Sequence, residues 1–96
     1  MANVKVTIKV SGPAKKFYVV GNTKNLGEWN PKNAVLVEDG VVAKQFADGE
    51  TVEFKVLAGK NWDKVEKLAN GDERENRSFV AKKGLVVEAA AESFNK

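Results

Sequence analysis

The chain has 96 residues, of which 43% are hydrophobic, and this length allows one domain with a two-layer core. It contains neither cysteine nor histidine. Their absence excludes disulfides and thiol chemistry, and it removes the usual zinc and copper ligands and the one side chain that titrates near neutral pH without perturbation. We therefore expect a protein that is not an enzyme and has no metal site and no cofactor.

The charged residues are typical of a solvated surface. The net charge of +3 results from 16 basic and 13 acidic residues, and the lysines are interleaved with acidic residues. The only arginines, Arg74 and Arg77, lie close to glutamates, whereas nucleic-acid binding favours an arginine-rich stripe. The sequence has no apolar run that could span a bilayer and no signal-peptide pattern. We expect no nucleic-acid or membrane partner, and either a cytosolic protein or a module excised from a longer one.

Alternation of hydrophobic and polar residues predicts strands in chain order. In residues 4–10, valine and isoleucine alternate with lysine and threonine, which indicates a strand with one buried face. A glycine–proline break follows, and then an aromatic and β-branched run predicts a second strand over residues 17–20. Further strands are predicted over residues 34–37, 41–46, 51–56, 79–80 and 85–91. The pairs Asp39–Gly40 and Asp48–Gly49 predict tight hairpin turns.

In the predicted strand over residues 51–56, successive side chains point to opposite faces. Alternation buries Val52, Phe54 and Val56 and turns Lys55 to the other face. From residue 58 to 78 the alternation stops, and turn signals enclose a charged stretch that contains Trp62. Short strands with Asp-Gly turns and no internal repeat predict an all-β sandwich of about seven strands over a single domain, residues 1–96.

Trp29 lies in a run of glycine, asparagine and proline, which predicts a surface loop. An indole that stays in water forgoes burial energy of about 2 kcal/mol, so it is usually present to stack on a ligand. The alternative is that the ring folds under its loop and packs on the end of the sandwich. Trp62 has a similar turn context and the same two alternatives. Both residues are candidates for binding.

Five segments, taken together and in this order, resemble the starch-binding carbohydrate-binding modules of family 20. They cover roughly residues 4 to 92 and are Tyr18-Val19-Val20-Gly21, Leu26-Gly27-Glu28-Trp29, Val52-Glu53-Phe54-Lys55-Val56, Val65-Glu66 and Glu75-Asn76-Arg77. The resemblance implies an immunoglobulin-like β-sandwich or open-sided distorted barrel that holds α-1,4-linked glucans without cleaving them.

The resemblance also implies roles for particular residues. Trp29 corresponds to half of an aromatic platform, Lys55 to a donor of hydrogen bonds to sugar hydroxyls, and Asn76 to its polar partner. Tyr18 corresponds to a residue of a second, separate site in some members. The family's other platform tryptophan usually follows the Val-Glu pair, where this chain has Lys67.

Trp62 is expected to supply the second ring from upstream, as in related variants with a Trp-Asp-x-Val-Glu sequence. Glu66 is expected to read the 2- and 3-hydroxyls of a sugar together with Lys55 and Asn76.

Other interpretations of these residues stay open at this point. Tyr18 could pack on cross-strand neighbours, and Lys55 could be a solubilising charge. Asn76 and Arg77 could brace a loop, with Arg77 paired to Glu75 or Glu66. A set of acidic residues could suggest a calcium site, although it lacks the spacing of a dedicated calcium loop: Asp63, Glu66, Asp72, Glu73 and Glu75.

The resulting hypothesis is a non-catalytic module that binds starch, amylose, amylopectin, glycogen, maltooligosaccharides or cyclodextrins. Its partners would be the α-glucan and the parent catalytic domain of the same polypeptide, which it would tether to the substrate. We expect an extracellular location, as part of a secreted or cell-surface protein. The alternative is an immunoglobulin-like spacer or protein-interaction domain with packed tryptophans, and a third possibility is an intracellular glycogen sensor.

Overall fold

The computed structural model describes residues 3–72 and 74–94, and this part of the chain forms strands connected by loops and three short 3₁₀ turns. The turns are Lys24–Leu26, Pro31–Asn33 and Trp62–Lys64. The strands in chain order are β1 (Asn3–Ser11), β2 (Phe17–Gly21), β3 (Val35–Val37), β4 (Val41–Ala47), β5 (Thr51–Leu57), β6 (Glu66–Lys67), β7 (Arg77–Val80), β8 (Val86–Ala90) and β9 (Ser93–Phe94).

The predicted all-β class is confirmed. Each strand that alternation predicted is present, and β6 and β9 are additional two-residue strands that carry too few side chains to show a period. Within the described ranges there is no α-helix, and accordingly none that is long and apolar enough to cross a membrane.

The strands form two main sheets and one small one. In the first sheet, of order β4-β1-β8, β1 is antiparallel to β4 and parallel to β8. The second sheet has the order β3-β2-β5-β7 and is antiparallel throughout. The third pairs β6 with β9. The architecture is a β-sandwich whose two main sheets contribute to one core.

The core lies between the two main sheets and follows the predicted alternation. The inward residues of β1 are buried, and Val52, Phe54 and Val56 of β5 have no exposed surface. The Phe79 ring packs edge-on against Phe46 of the first sheet and Phe54 of the second, with centroids 5.5 and 5.9 Å apart. Complete burial of one such side chain contributes roughly 1.5–3 kcal/mol, so this core stabilises the sandwich.

The two Asp-Gly pairs form the predicted tight turns, but neither turn joins two strands of the same sheet into a hairpin. Asp39 and Gly40 have positive φ angles of 53° and 76°, and the Val41 amide donates to the Glu38 carbonyl over 3.0 Å. Apart from the single Glu38–Val41 bridge, however, β3 and β4 enter different sheets. The Asp48–Gly49 turn likewise leads from β4 in the first sheet to β5 in the second. Alternation indicates which face of a strand is buried, whereas the partner strand depends on tertiary packing.

A second, smaller hydrophobic cluster lies on the outer face of the second sheet. We call it the outer cluster, and it consists of Val20, Ala34, Leu57 and Val65. Val20 and Leu57 each follow a residue of the main core, so they lie on the opposite face of β2 and β5. Ala34 and Val65, which lie outside the strands, pack with them, and Tyr18 and Trp29 pack against the cluster. The outer cluster therefore determines where these aromatic side chains lie.

Candidate functional site

The Trp29 loop is held in an uncommon backbone conformation. Glu28 and Trp29 have φ angles of 50° and 63°, in the left-handed region that non-glycine residues rarely adopt. The Trp29 amide donates to the Gly21 carbonyl over 2.8 Å, and the Glu28 amide donates to the Thr23 carbonyl over 3.0 Å. Each left-handed residue costs about 1–2 kcal/mol, which these contacts must offset. The loop thereby fixes the direction of the Trp29 side chain.

The same loop is anchored to the sandwich beneath it. Leu26 is completely buried in the main core, and Gly21 leaves no room for a Cβ because the Glu53 carbonyl and Leu26 lie against it. The Asn25 side-chain amide donates to the Gln45 carbonyl over 2.6 Å. These contacts join the loop to both main sheets, so it is a rigid support for its indole.

Trp62 begins the 3₁₀ turn Trp62–Lys64 and is 43% exposed. The turn is closed at its base, since the Ala58 amide donates to the Lys64 carbonyl over 2.8 Å and Leu57 forms a bridge with Val65. Trp62 thus projects from a short turn that is tied back to the end of β5.

The two indoles meet. Their ring centroids are 6.5 Å apart and their planes are inclined at 33°. Trp29 is half-buried against the outer cluster, whereas Trp62 is exposed. For Trp29 the structure combines the two alternatives, because the ring packs on the sandwich and still leaves part of its surface open. Together the rings form an angled apolar surface with solvent above it.

Lys55 lies on the same outer face as this pair. Its β5 position is opposite Val20, and its half-buried side chain donates from Nζ to the Arg74 carbonyl over 2.8 Å. An ammonium group has three N–H donors, and this bond uses one of them. Asn76 is exposed and directly precedes Arg77, which pairs with Phe54. Asn76 therefore lies beside Lys55 where β7 begins.

Glu66 requires a correction. Its side chain has no exposed surface, and both carboxylate oxygens accept hydrogen bonds from within the protein. Val56 N–H and the Arg77 guanidinium are the donors, and the Arg74 Nε lies 3.4 Å from Oε1. A group enclosed in this way has no surface to offer a sugar hydroxyl. The sequence-based alternative in which Arg77 pairs with Glu66 is the observed one.

Tyr18 is half-buried and packs against the outer cluster, as Trp29 does. It is opposite Leu36 in β3 and Leu57 in β5, and the Lys60 Nζ lies 5.9 Å from the centroid of its ring. Tyr18 therefore packs as its strand context indicates, and its role in a ligand site stays a prediction. The structure thus places Tyr18 on the same face as Trp29.

Two neighbours of the site had no signal in the sequence. Lys60 and Arg74 both lie in the charged stretch without alternation, and the contact of Arg74 with Lys55 uses its backbone carbonyl, which every residue has. Of the acidic set, Glu73 lies outside the described residues. Among residues 3–72 and 74–94, no three or more acidic side chains gather into a group that could hold a metal ion.

Comparison with known proteins gives a family. The model of a starch-binding domain family matches residues 3–89 of this chain. The family 20 carbohydrate-binding module of a maltotetraose-forming amylase from Pseudomonas saccharophila is similar in structure, with a TM-score of 0.61 and 25% identity over 91% of this chain and 99% of that one. A search of curated protein sequences gives no match.

Two longer proteins share the fold at lower identity. A glycoside hydrolase family 15 glucoamylase from Hypocrea jecorina superimposes with a TM-score of 0.77 and 19% identity over 97% of this chain and 18% of that chain. A gamma-CGTase from alkalophilic Bacillus clarkii does so with a TM-score of 0.65 and 20% identity over 98% of this chain and 15% of that chain. This chain therefore spans less than a fifth of either protein.

Proposed function

Because the chain belongs to the starch-binding domain family, we propose that it binds α-1,4-glucans by stacking sugar rings on Trp29 and Trp62. The observation that carries the proposal is the inclined indole pair, with centroids 6.5 Å apart on the outer face of the second sheet. A glucose ring has an apolar face of axial C–H groups, and an indole that covers this face removes both surfaces from water. Two inclined rings suit a curved α-glucan better than a flat chain.

Lys55 and Asn76 complete the proposed site at its polar edge. The Lys55 ammonium, which has more donors than its bond to the Arg74 carbonyl uses, and the exposed Asn76 amide can pair with hydroxyls at the rim of a stacked sugar. A shallow, solvent-exposed site of this kind gains little from each contact. We therefore expect a dissociation constant on the order of 10 µM to 1 mM for one site.

The proposed mechanism is tethering without hydrolysis. Linked to a catalytic domain in a longer, secreted polypeptide, the module would raise the local concentration of that domain on an insoluble polymer. Glycoside hydrolysis needs two carboxyl groups about 5 to 10 Å apart across a sugar. The Glu66 carboxylate, the one fully buried acidic group among the described residues, is already saturated by protein donors. In this proposal the chemistry belongs to the catalytic domain.

Affinity electrophoresis in native gels that contain amylopectin tests the proposal. Trp29→Ala and Trp62→Ala are compared with the unmodified chain and with Val86→Ala, which removes an exposed apolar side chain from β8 in the first sheet. We expect the unmodified chain and Val86→Ala to be retarded and both tryptophan variants to migrate freely while still folded. An unmodified chain that runs as it does without polysaccharide would refute glucan binding and favour a spacer or protein-interaction domain.

A further inference from the structure

Glu66 is completely buried and bonded to protein donors, and these contacts give it another role. We propose that Glu66 is a positioning residue, whose carboxylate holds segments 58–66 and 74–77 against β5 so that Trp62 and Lys55 present a preformed surface to the glucan. The ligand in this inference rests on the proposed function. The positioning itself is measurable without a ligand.

The carboxylate first replaces a missing stretch of sheet. The β5–β7 ladder ends at the Phe54–Arg77 pair, so β7 does not extend to Val56. Glu66 Oε2 accepts from the Val56 amide over 2.9 Å. An unpaired buried N–H would be costly, and this bond satisfies it while joining β6 to the end of β5.

Arg77 then fixes the carboxylate in orientation. Its Nε lies 3.0 Å from Oε2 and its Nη2 lies 2.8 Å from Oε1, which is a bidentate arrangement. Nη2 also donates to the Ala90 carbonyl of β8 over 2.9 Å. Through one guanidinium, Glu66 is thus connected to both main sheets, and its position is determined by the body of the sandwich.

Arg74 links Glu66 to Lys55. The Arg74 Nε lies 3.4 Å from Glu66 Oε1, and the Arg74 carbonyl accepts the Lys55 hydrogen bond. The position of the Lys55 ammonium therefore depends on the position of the Arg74 backbone. The Arg74 side chain in turn forms an ion pair with Glu66. Loss of the carboxylate would leave two guanidinium groups facing each other, and their repulsion would move segment 74–77.

The position of Trp62 also depends on Glu66, through segment 58–66. Only three residues separate them, and Val65, which packs in the outer cluster, lies directly before Glu66. The point at which segment 58–66 is attached to the sheet therefore determines the position of the Trp62 ring relative to Trp29. A site whose parts are held in place before binding avoids the ordering cost that a loose site pays on association.

The test uses Glu66→Gln, Lys55→Ala and the double variant of these two. Val6→Ala is the matched control, because Val6 is completely buried in β1 and its truncation lowers stability without touching the network. Retardation by amylopectin measures affinity. The circular-dichroism couplet of the two adjacent indoles reports their mutual geometry in the free protein, which a purely stabilising role would leave unchanged.

We expect folded Glu66→Gln to bind amylopectin about tenfold more weakly and to lose most of the couplet, while Val6→Ala keeps both. Because Glu66 acts partly through Lys55, the double variant should lose less affinity than the sum of the single losses. A folded Glu66→Gln with unchanged affinity and couplet would overturn the proposal.

Arg74→Ala provides a second test if Glu66→Gln does not fold, since it leaves the Glu66–Arg77 pair intact. A loss of affinity of about threefold supports the positioning role, and unchanged retardation refutes it. If the unmodified chain is not retarded at all, the proposed function fails. The couplets of the variants then decide the positioning role by themselves.

Discussion

At the scale of single residues, the two tryptophans make unequal contributions to the fold. Trp29 packs against the outer cluster, whereas Trp62 is 43% exposed and lies beside the Trp29 ring. Burial is what stabilises a protein, and exposure is what makes a side chain available to a ligand. Trp29 thus contributes to the packing of the sandwich, whereas Trp62 contributes mainly surface that is accessible to a ligand.

This difference predicts unequal losses of stability. Trp29→Ala should lower the free energy of unfolding by about 2 kcal/mol, because a half-buried ring loses its contacts with the outer cluster. Trp62→Ala should lower it by less than about 1 kcal/mol. Urea unfolding followed by far-ultraviolet circular dichroism measures both values. Equal losses would contradict the division into a packed ring and an exposed ring.

At the scale of elements, the loop between β2 and β3 is packed more tightly than its composition indicates. Gly27 has a φ angle of 82°, and a Cβ at this position would lie 2.7 Å from the Asn33 carbonyl. Gly49, in the turn between β4 and β5, has a φ angle of 84°, but a Cβ there would have no heavy atom of the described residues within 4 Å apart from its chain neighbours. Two glycines with the same backbone requirement therefore differ in their surroundings.

The pair Gly27→Ala and Gly49→Ala separates backbone strain from loop displacement. Both variants should lose about 1 kcal/mol of stability from the left-handed conformation. Gly27→Ala must also shift the loop that carries Trp29, so it alone should weaken binding to amylopectin. Urea unfolding and affinity electrophoresis measure the two effects. Equal retardation of both variants would show that the loop absorbs the extra methyl group.

At the scale of the whole molecule, charge does not explain the proposed recognition. The net charge is +3, and the proposed ligand is an uncharged polymer. Salt screens interactions between exposed charges but not the stacking of a sugar on an indole. Between about 0.05 and about 0.5 M sodium chloride, the dissociation constant for maltooligosaccharide should change by less than about twofold.

Isothermal titration at the two salt concentrations measures this effect. Binding to nucleic acid through phosphate contacts would weaken by orders of magnitude over the same range, which gives a clear contrast. A strong salt dependence with the sugar ligand would show that charged groups carry the binding and would contradict the stacking mechanism.

Much of the fold could be predicted because it depends on local chemistry. The alternation in β1 and β5 identified their buried residues, since side chains point to opposite faces with a period of two. The motifs around Trp29, Lys55 and Asn76 led to the family that the comparison confirmed. The turns at Asp39–Gly40 and Asp48–Gly49 also formed where the residues indicated.

The sequence by itself therefore determined the all-β class, the inward faces of the main strands and the family. Only the tertiary structure decided that the Asp-Gly turns cross between sheets, that Trp62 meets Trp29, and that Glu66 is buried against Arg77. The physical reason is the range of the interactions. Periodicity and turn chemistry act between near neighbours, whereas strand partners, ring contacts and a buried ion pair depend on segments that only the folded chain brings together.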